Sequence, residues 1–163
     1  MAVTVKRLFL LLFAILAGCA VVPDQSNYGP ANDFQVLKDA PGYGKDSLYE
    51  LSKMWIAENF RSAKTVIEYE NKPEGMLIGN GAVDYPCTGN EPYFDKGFCG
   101  QPVTFTTKLE VKDNKFRLSF SNLAISGGNR FPKDGIPNLE SRLSNFGNEI
   151  LIYLDKSKAK SSW

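Results

Sequence analysis

Histidine is absent from the 163 residues, and with it go Ser/His/Asp and Cys/His catalysis and every metal site that needs an imidazole. Charge of one sign is lacking too, since 19 Lys and Arg face 18 Asp and Glu. A chain so balanced has no basic field to grip a phosphate backbone, so nucleic acid is not an expected partner. Calcium-loop spacing, a Gly-Lys-Ser/Thr phosphate element and a nucleophile elbow are all missing. Long apolar runs are scarce as well. The one present, Leu8 to Ala17, is too short to cross a bilayer as a helix.

What stands around that run gives it meaning. Lys6 and Arg7 precede it, and Leu16, Ala17, Gly18 and Cys19 end it, which is the order of an export signal. Small residues before a cysteine resemble the lipobox of bacterial lipoproteins. The resemblance implies a signal over residues 1–18, cleavage before Cys19, and acylation of Cys19 on its thiol and new amino group. Each buried methylene contributes about 0.8 kcal/mol, so two or three acyl chains (palmitate and its like) make a lasting anchor. In such lipoproteins an aspartate after the cysteine favours retention in the inner membrane; here Ala20 and Val21 follow, which points to the outer membrane.

The remaining cysteines, Cys87 and Cys99, bracket a segment with Thr88, Gly89, Asn90, Pro92 and Gly97. In an exported chain such a pair reads as a structural disulfide closing a loop, since the spacing is not CxxC and no further ligands stand nearby. In the chain-entropy account that closure contributes about 3 kcal/mol.

Residues 19–32 hold few large apolar side chains among Pro, Asp, Gln, Ser, Asn and Gly, and read as a flexible tether. A single α+β domain is expected over 33–155. Phe34 and Val36, with Leu37 as a further candidate, suggest a short strand ended by Pro41, Gly42 and Gly44. Ser47 and Glu50 have capping-box spacing, and Leu48, Leu51, Trp55, Ile56 and Phe60 continue a helical stripe. Strand periodicity follows in four segments, a meander, with turns at Asn71–Gly75 and Asp113–Asn114. In the last pair Val103, Phe105, Thr107, Leu109 and Val111 alternate on the way out, and Phe116, Leu118, Phe120 and Ala124 on the way back. Ser126 to Pro137 reads as a connector. Leu139, Leu143, Phe146 and Ile150 then mark a final helix that packs on the same sheet face. A polar basic tail is expected over 156–163, with Lys156, Lys158 and Lys160.

This order, behind a lipobox, resembles a family of small bacterial lipoproteins carrying a domain of unknown function with a TBP-like fold. The resemblance lies in Asp46, Ser47, Leu48, Tyr49 and Glu50 leading to Trp55, then Val66 and Ile67, the Gly75 to Gly81 stretch and the Val103 to Phe120 hairpin. It covers about Phe34 to Ile125 and implies a fold without an activity. The Cys87 to Cys99 loop looks like an insertion on that pattern.

No catalytic residue, metal site or cofactor is expected. Asp84, Glu91 and Asp95 are the carboxylates that a carbohydrate-processing hydrolase would use, but solvated loop charges account for them. The leading expectation is a lipid-anchored, non-catalytic binding or adaptor module meeting an envelope protein or polymer. Tyr93, Phe94 and Phe98 are its candidate contacts, because aromatics on a pinned loop give contact area at low entropic cost; folding back into a local core is the structural alternative. A mobile-element lipoprotein that blocks phage or plasmid entry is a further expectation compatible with small size and anchoring.

Replacing Cys19 by Ser should leave the chain uncut and unlipidated, read by intact mass and detergent partition. A Cys19→Ser protein found in the detergent phase at the mature mass would refute the lipobox reading.

Overall fold

The computed structural model describes residues 25–59, 66–91 and 95–160; Cys19, Tyr93 and Phe94 lie outside them. After a 3-10 turn at Gln25–Asn27 come β1 (Tyr28–Gly29), β2 (Phe34–Asp39), α1 (Lys45–Asn59), β3 (Val66–Asn71), β4 (Met76–Asp84), β5 (Pro102–Lys112), β6 (Lys115–Ile125), β7 (Phe131–Pro132) and α2 (Ile136–Lys160). The expected meander β3-β4-β5-β6 is antiparallel throughout, and β2 adds itself outside β6 to give the order β2-β6-β5-β4-β3. The domain is α+β.

Both helices lie on one face of this sheet because only that face is apolar. Val103, Phe105, Thr107, Leu109 and Val111 on β5 and Phe116, Leu118 and Phe120 on β6 are buried, while the residues that alternate with them are half-exposed or exposed. Buried positions of α1 (Leu48, Tyr49, Ser52, Trp55, Ile56) and α2 (Leu139, Leu143, Phe146, Ile150, Leu154) close over them. At the centre Phe120 meets Phe34 at 5.1 Å, Phe105 at 5.5 Å and Phe146 at 6.3 Å between ring centroids, and Phe146 reaches Trp55 at 5.6 Å. One aromatic cluster thus ties β2, β5, β6 and both helices together.

Two glycines set how close these layers come. A Cβ on Gly147, in the middle of α2, would stand 3.2 Å from Val36 Cγ1 and 2.9 Å from Lys38 Cε. Glycine there costs about 1 kcal/mol of helix propensity and lets the helix approach the edge strand. A Cβ on Gly81 would stand 2.6 Å from the buried Phe105 ring, which lies against the bare backbone of β4.

Several expectations are corrected. The inward alternation of β6 does not reach Ala124: register passes from Thr106↔Ser121 to Thr104↔Ala124, and Asn122 takes a left-handed φ of 54°. This bulge changes the phase by one residue, so Leu123 and Ile125 turn inward instead. The capping box at Ser47 and Glu50 is not used. Asp113 Oδ1 accepts from Lys45 N at 2.7 Å, Gly44 O accepts the first helical bond from Leu48 N, and Glu50 pairs with Lys72. Residues 25–32, expected as tether, are docked. Tyr28 and Gly29 pair with β7, Ala31 is buried, and Lys133 holds the backbone oxygens of Ser26 and Asn27. Residues 156–160, expected as part of a basic tail, belong to α2, which continues through Lys160.

Phe120→Ala should lower stability by about 3–5 kcal/mol through the cavity it leaves, measured as the drop in urea midpoint at constant slope. Gly81→Ala should cost about 1–3 kcal/mol by overpacking; a Gly81→Ala midpoint equal to wild type would show that Phe105 has room to move.

Candidate functional site

Two surfaces are built by this fold. The first is the end of the sheet where β4 leaves and β5 returns. Tyr85 N donates to Gln101 O at 2.8 Å and Gly100 N to Tyr85 O at 3.2 Å, and the Cys87–Cys99 disulfide closes the loop above them with a Cα separation of 5.3 Å. Inside that loop the Glu91 carboxylate accepts from the amides of Thr88 and Gly89. Backbone hydrogen bonding from Thr88, foremost, holds its carboxyl below the usual range. A general acid needs the opposite shift, so Glu91 serves here as a loop cap. Asp84 is exposed on the last residue of β4.

Of the three candidate aromatics only Phe98 is among the described residues, and it faces inward. Its ring lies 5.9 Å from Tyr28 and 6.3 Å from Tyr85, so it joins the stapled loop to the docked strand β1. A small cleft of about 80 Å³ remains between the loop and the start of α2, with Thr88, Glu91, Asp134 and Asn138 on its walls. Among the described residues no three His, Cys, Asp or Glu side chains stand close enough to share a metal ion.

The second surface is the sheet face that neither helix covers. Register lays its side chains out in rows across the strands. One row runs Gln35, Ser119, Lys108, Ile78, Tyr69, and the next Leu37, Arg117, Glu110, Met76, Asn71. Glu110 is the electrostatic centre. Arg117 Nη2 and Nε donate to its Oε2 at 2.6 and 2.9 Å, and Lys108 Nζ stands 3.1 Å from Oε1. Burial acts to raise the Glu110 carboxyl, but the hydrogen bonds from Arg117 and Lys108 outweigh it and hold the group below its ordinary range. Further along, the bulged Asn122 donates to Thr106 Oγ1, which donates to Asn80 Oδ1 at 3.0 Å, and Asn80 Nδ2 donates to Glu68 Oε1 at 2.5 Å. This polar ladder fixes side chains on the open face that would otherwise be mobile.

At the hairpin end of the same face, Leu37, Glu110, Lys112, Lys115, Phe116 and Arg117 bound a hollow of about 220 Å³. Leu37 is 65% exposed. The sequence gives no sign that these side chains share a site, because they come from three strands and meet only through register. A third hollow, of about 330 Å³, separates α1 from α2 beside Trp55, Glu58, Ile152 and Tyr153, whose hydroxyl donates to Glu58 Oε1 at 3.2 Å. Burial, and then that carboxylate, push the Tyr153 hydroxyl up.

Comparison with known proteins agrees with this architecture. Residues 34–126 match the family described as a domain of unknown function, DUF4468, with TBP-like fold. Among solved structures, a DUF4468 family protein from Bacteroides ovatus superposes with a TM-score of 0.51 at 10% identity, over 86% of this chain and 90% of that one. A TBP-like protein from Parabacteroides distasonis gives 0.45 at 9% identity, over 78% and 88%. No curated protein matches the chain. The expected likeness is therefore shown at the level of family and fold: the chain belongs to the DUF4468 family, whose domain has a TBP-like fold.

Proposed function

We propose that this chain is a lipid-anchored lipoprotein of the outer membrane that binds another envelope component without catalysing a reaction. The observation that carries the reading is the short distance between the lipobox-like ending at Cys19 and the docked strand β1. Five residues, 20–24, stand between Cys19 and the 3-10 turn at Gln25. Such a segment reaches at most about 20 Å when fully extended. The turn and β1 sit at the disulfide end of the sheet, where Tyr28 packs on Phe98 and pairs with Pro132. The acyl chains thus hold the disulfide end near the bilayer and send the β5–β6 hairpin, about 35 Å away along eleven-residue strands, outward. The face available to a partner is the uncovered sheet face.

The chemistry of these carboxylates favours binding over turnover. Glu91 is committed to the Thr88 and Gly89 amides, and Glu110 to Arg117 and Lys108. Both carboxyls are lowered rather than raised, which suits fixed anions better than proton donors. Aromatic and aliphatic groups at Tyr69, Ile78 and Leu37, set among ordered polar side chains, suit a contact surface.

The test places a fluorophore at Thr88 or at Asn114 of the lipidated protein in vesicles containing brominated lipid. Quenching at Thr88 and not at Asn114 is expected; equal quenching at both positions, or greater quenching at Asn114, would overturn the orientation. In parallel, photo-crosslinkers at Ser119 and at Met54 on α1 compare the two faces in intact cells. Adducts from Ser119 alone support the sheet face, whereas adducts from Met54 alone would move the binding surface to the helices.

A further inference from the structure

We propose that the hollow at the hairpin end of the open sheet face is a docking site for an acidic peptide segment, one carboxylate side chain beside an aliphatic one. Lys112 and Lys115 are opposite each other in register, an arrangement of like charges that weakens a sheet. Neither makes an ion pair with another described residue. Lys108 and Arg117 both converge on the one carboxylate of Glu110. On β2, β5 and β6 this face carries Lys108, Lys112, Lys115 and Arg117 against Asp39 and Glu110, an excess of two positive charges in a protein that is otherwise nearly neutral. The remaining wall is apolar: Leu37 stands next to Arg117 in its row and is the most exposed large hydrophobic residue described.

These features select the ligand. Lys112 and Lys115, the latter with Asp39 opposite it in register, are too few to hold a polyanion, whose affinity is built from many phosphate or sulfate contacts. The exposed isobutyl group of Leu37 asks for an aliphatic neighbour, which a charged glycan lacks. The protein's own membrane is out of reach, because the hollow is at the opposite end of the sheet from β1; this step rests on the anchored orientation proposed above. A carboxylate between Lys112 and Lys115 relieves their repulsion, and an aliphatic side chain one position away covers Leu37. A hollow of about 220 Å³ accommodates a pair of side chains of that size.

Full-length protein in detergent is titrated with a dye-labelled peptide of alternating Leu and Glu, followed by anisotropy. Lys112→Glu with Lys115→Glu should weaken binding about tenfold or more, and Lys112→Gln with Lys115→Gln by less. Leu37→Ser should weaken it equally at low and high salt. Lys96→Glu, in the disulfide loop, should leave it unchanged, and melting temperatures check that each variant is folded. Equal affinity for a Leu/Gln peptide, unchanged binding by the doubly reversed variant, or tighter binding to anionic vesicles or to a sulfated polysaccharide would overturn the proposal. Lipidation is read separately by intact mass, so an unlipidated protein that binds the peptide refutes the anchor and leaves the docking site standing.

Discussion

The contact that the rest of the structure depends on is the meeting of Phe120 with Phe34, Phe105 and Phe146. It fixes a helix across a sheet, an edge strand beside its neighbour and one face as the inside. Apolar burial is non-directional, so a sheet with apolar residues on both faces would take helices on either. Here β5 puts Thr104, Thr106, Lys108 and Glu110 on the other side. Two helices therefore share one face and pack on each other through Trp55 and Phe146. The open face follows from the same alternation that makes the core.

Much of this was legible in sequence because it is local or strictly periodic. The Val103 to Val111 alternation, the Asp113–Asn114 turn and the stripe of Leu139, Leu143, Phe146 and Ile150 each need only their own segment to be read. What was missed is non-local. Asp113 caps a helix that starts 68 residues earlier in the chain, and no capping rule confined to one segment can find it. The bulge at Asn122 left only a trace, since the apolar positions of β6 step by two to Phe120 and then by three to Leu123. The two-residue pairing of β1 with β7 has no periodicity at all.

The functional surface divides in the same way. Cysteine count and spacing were enough to pair Cys87 with Cys99, since topology is not needed to match two thiols across a turn-rich loop. They were not enough to orient Phe98, whose partners Tyr28 and Tyr85 come from distant parts of the chain. A pinned aromatic loop looks like a binding surface from sequence; in the fold one of its rings is used to hold the N-terminal strand. The hollow beside Leu37 could not be seen at all, because Lys112, Lys115, Arg117 and Leu37 become neighbours only once β2 has paired outside β6.

That hollow, assembled from three strands, explains why overall charge is a poor guide here. Nineteen cations and eighteen anions cancel over the whole chain, yet Debye screening confines each charge to about 8 Å at physiological salt, so a partner meets only a local excess. Two unpaired lysines and one leucine make a weak site in free solution. On the proposed anchor the same site works at the high effective concentration that confinement to one surface provides. A small contact area then suffices, and the fold needs neither a deep cleft nor a second domain to select its partner.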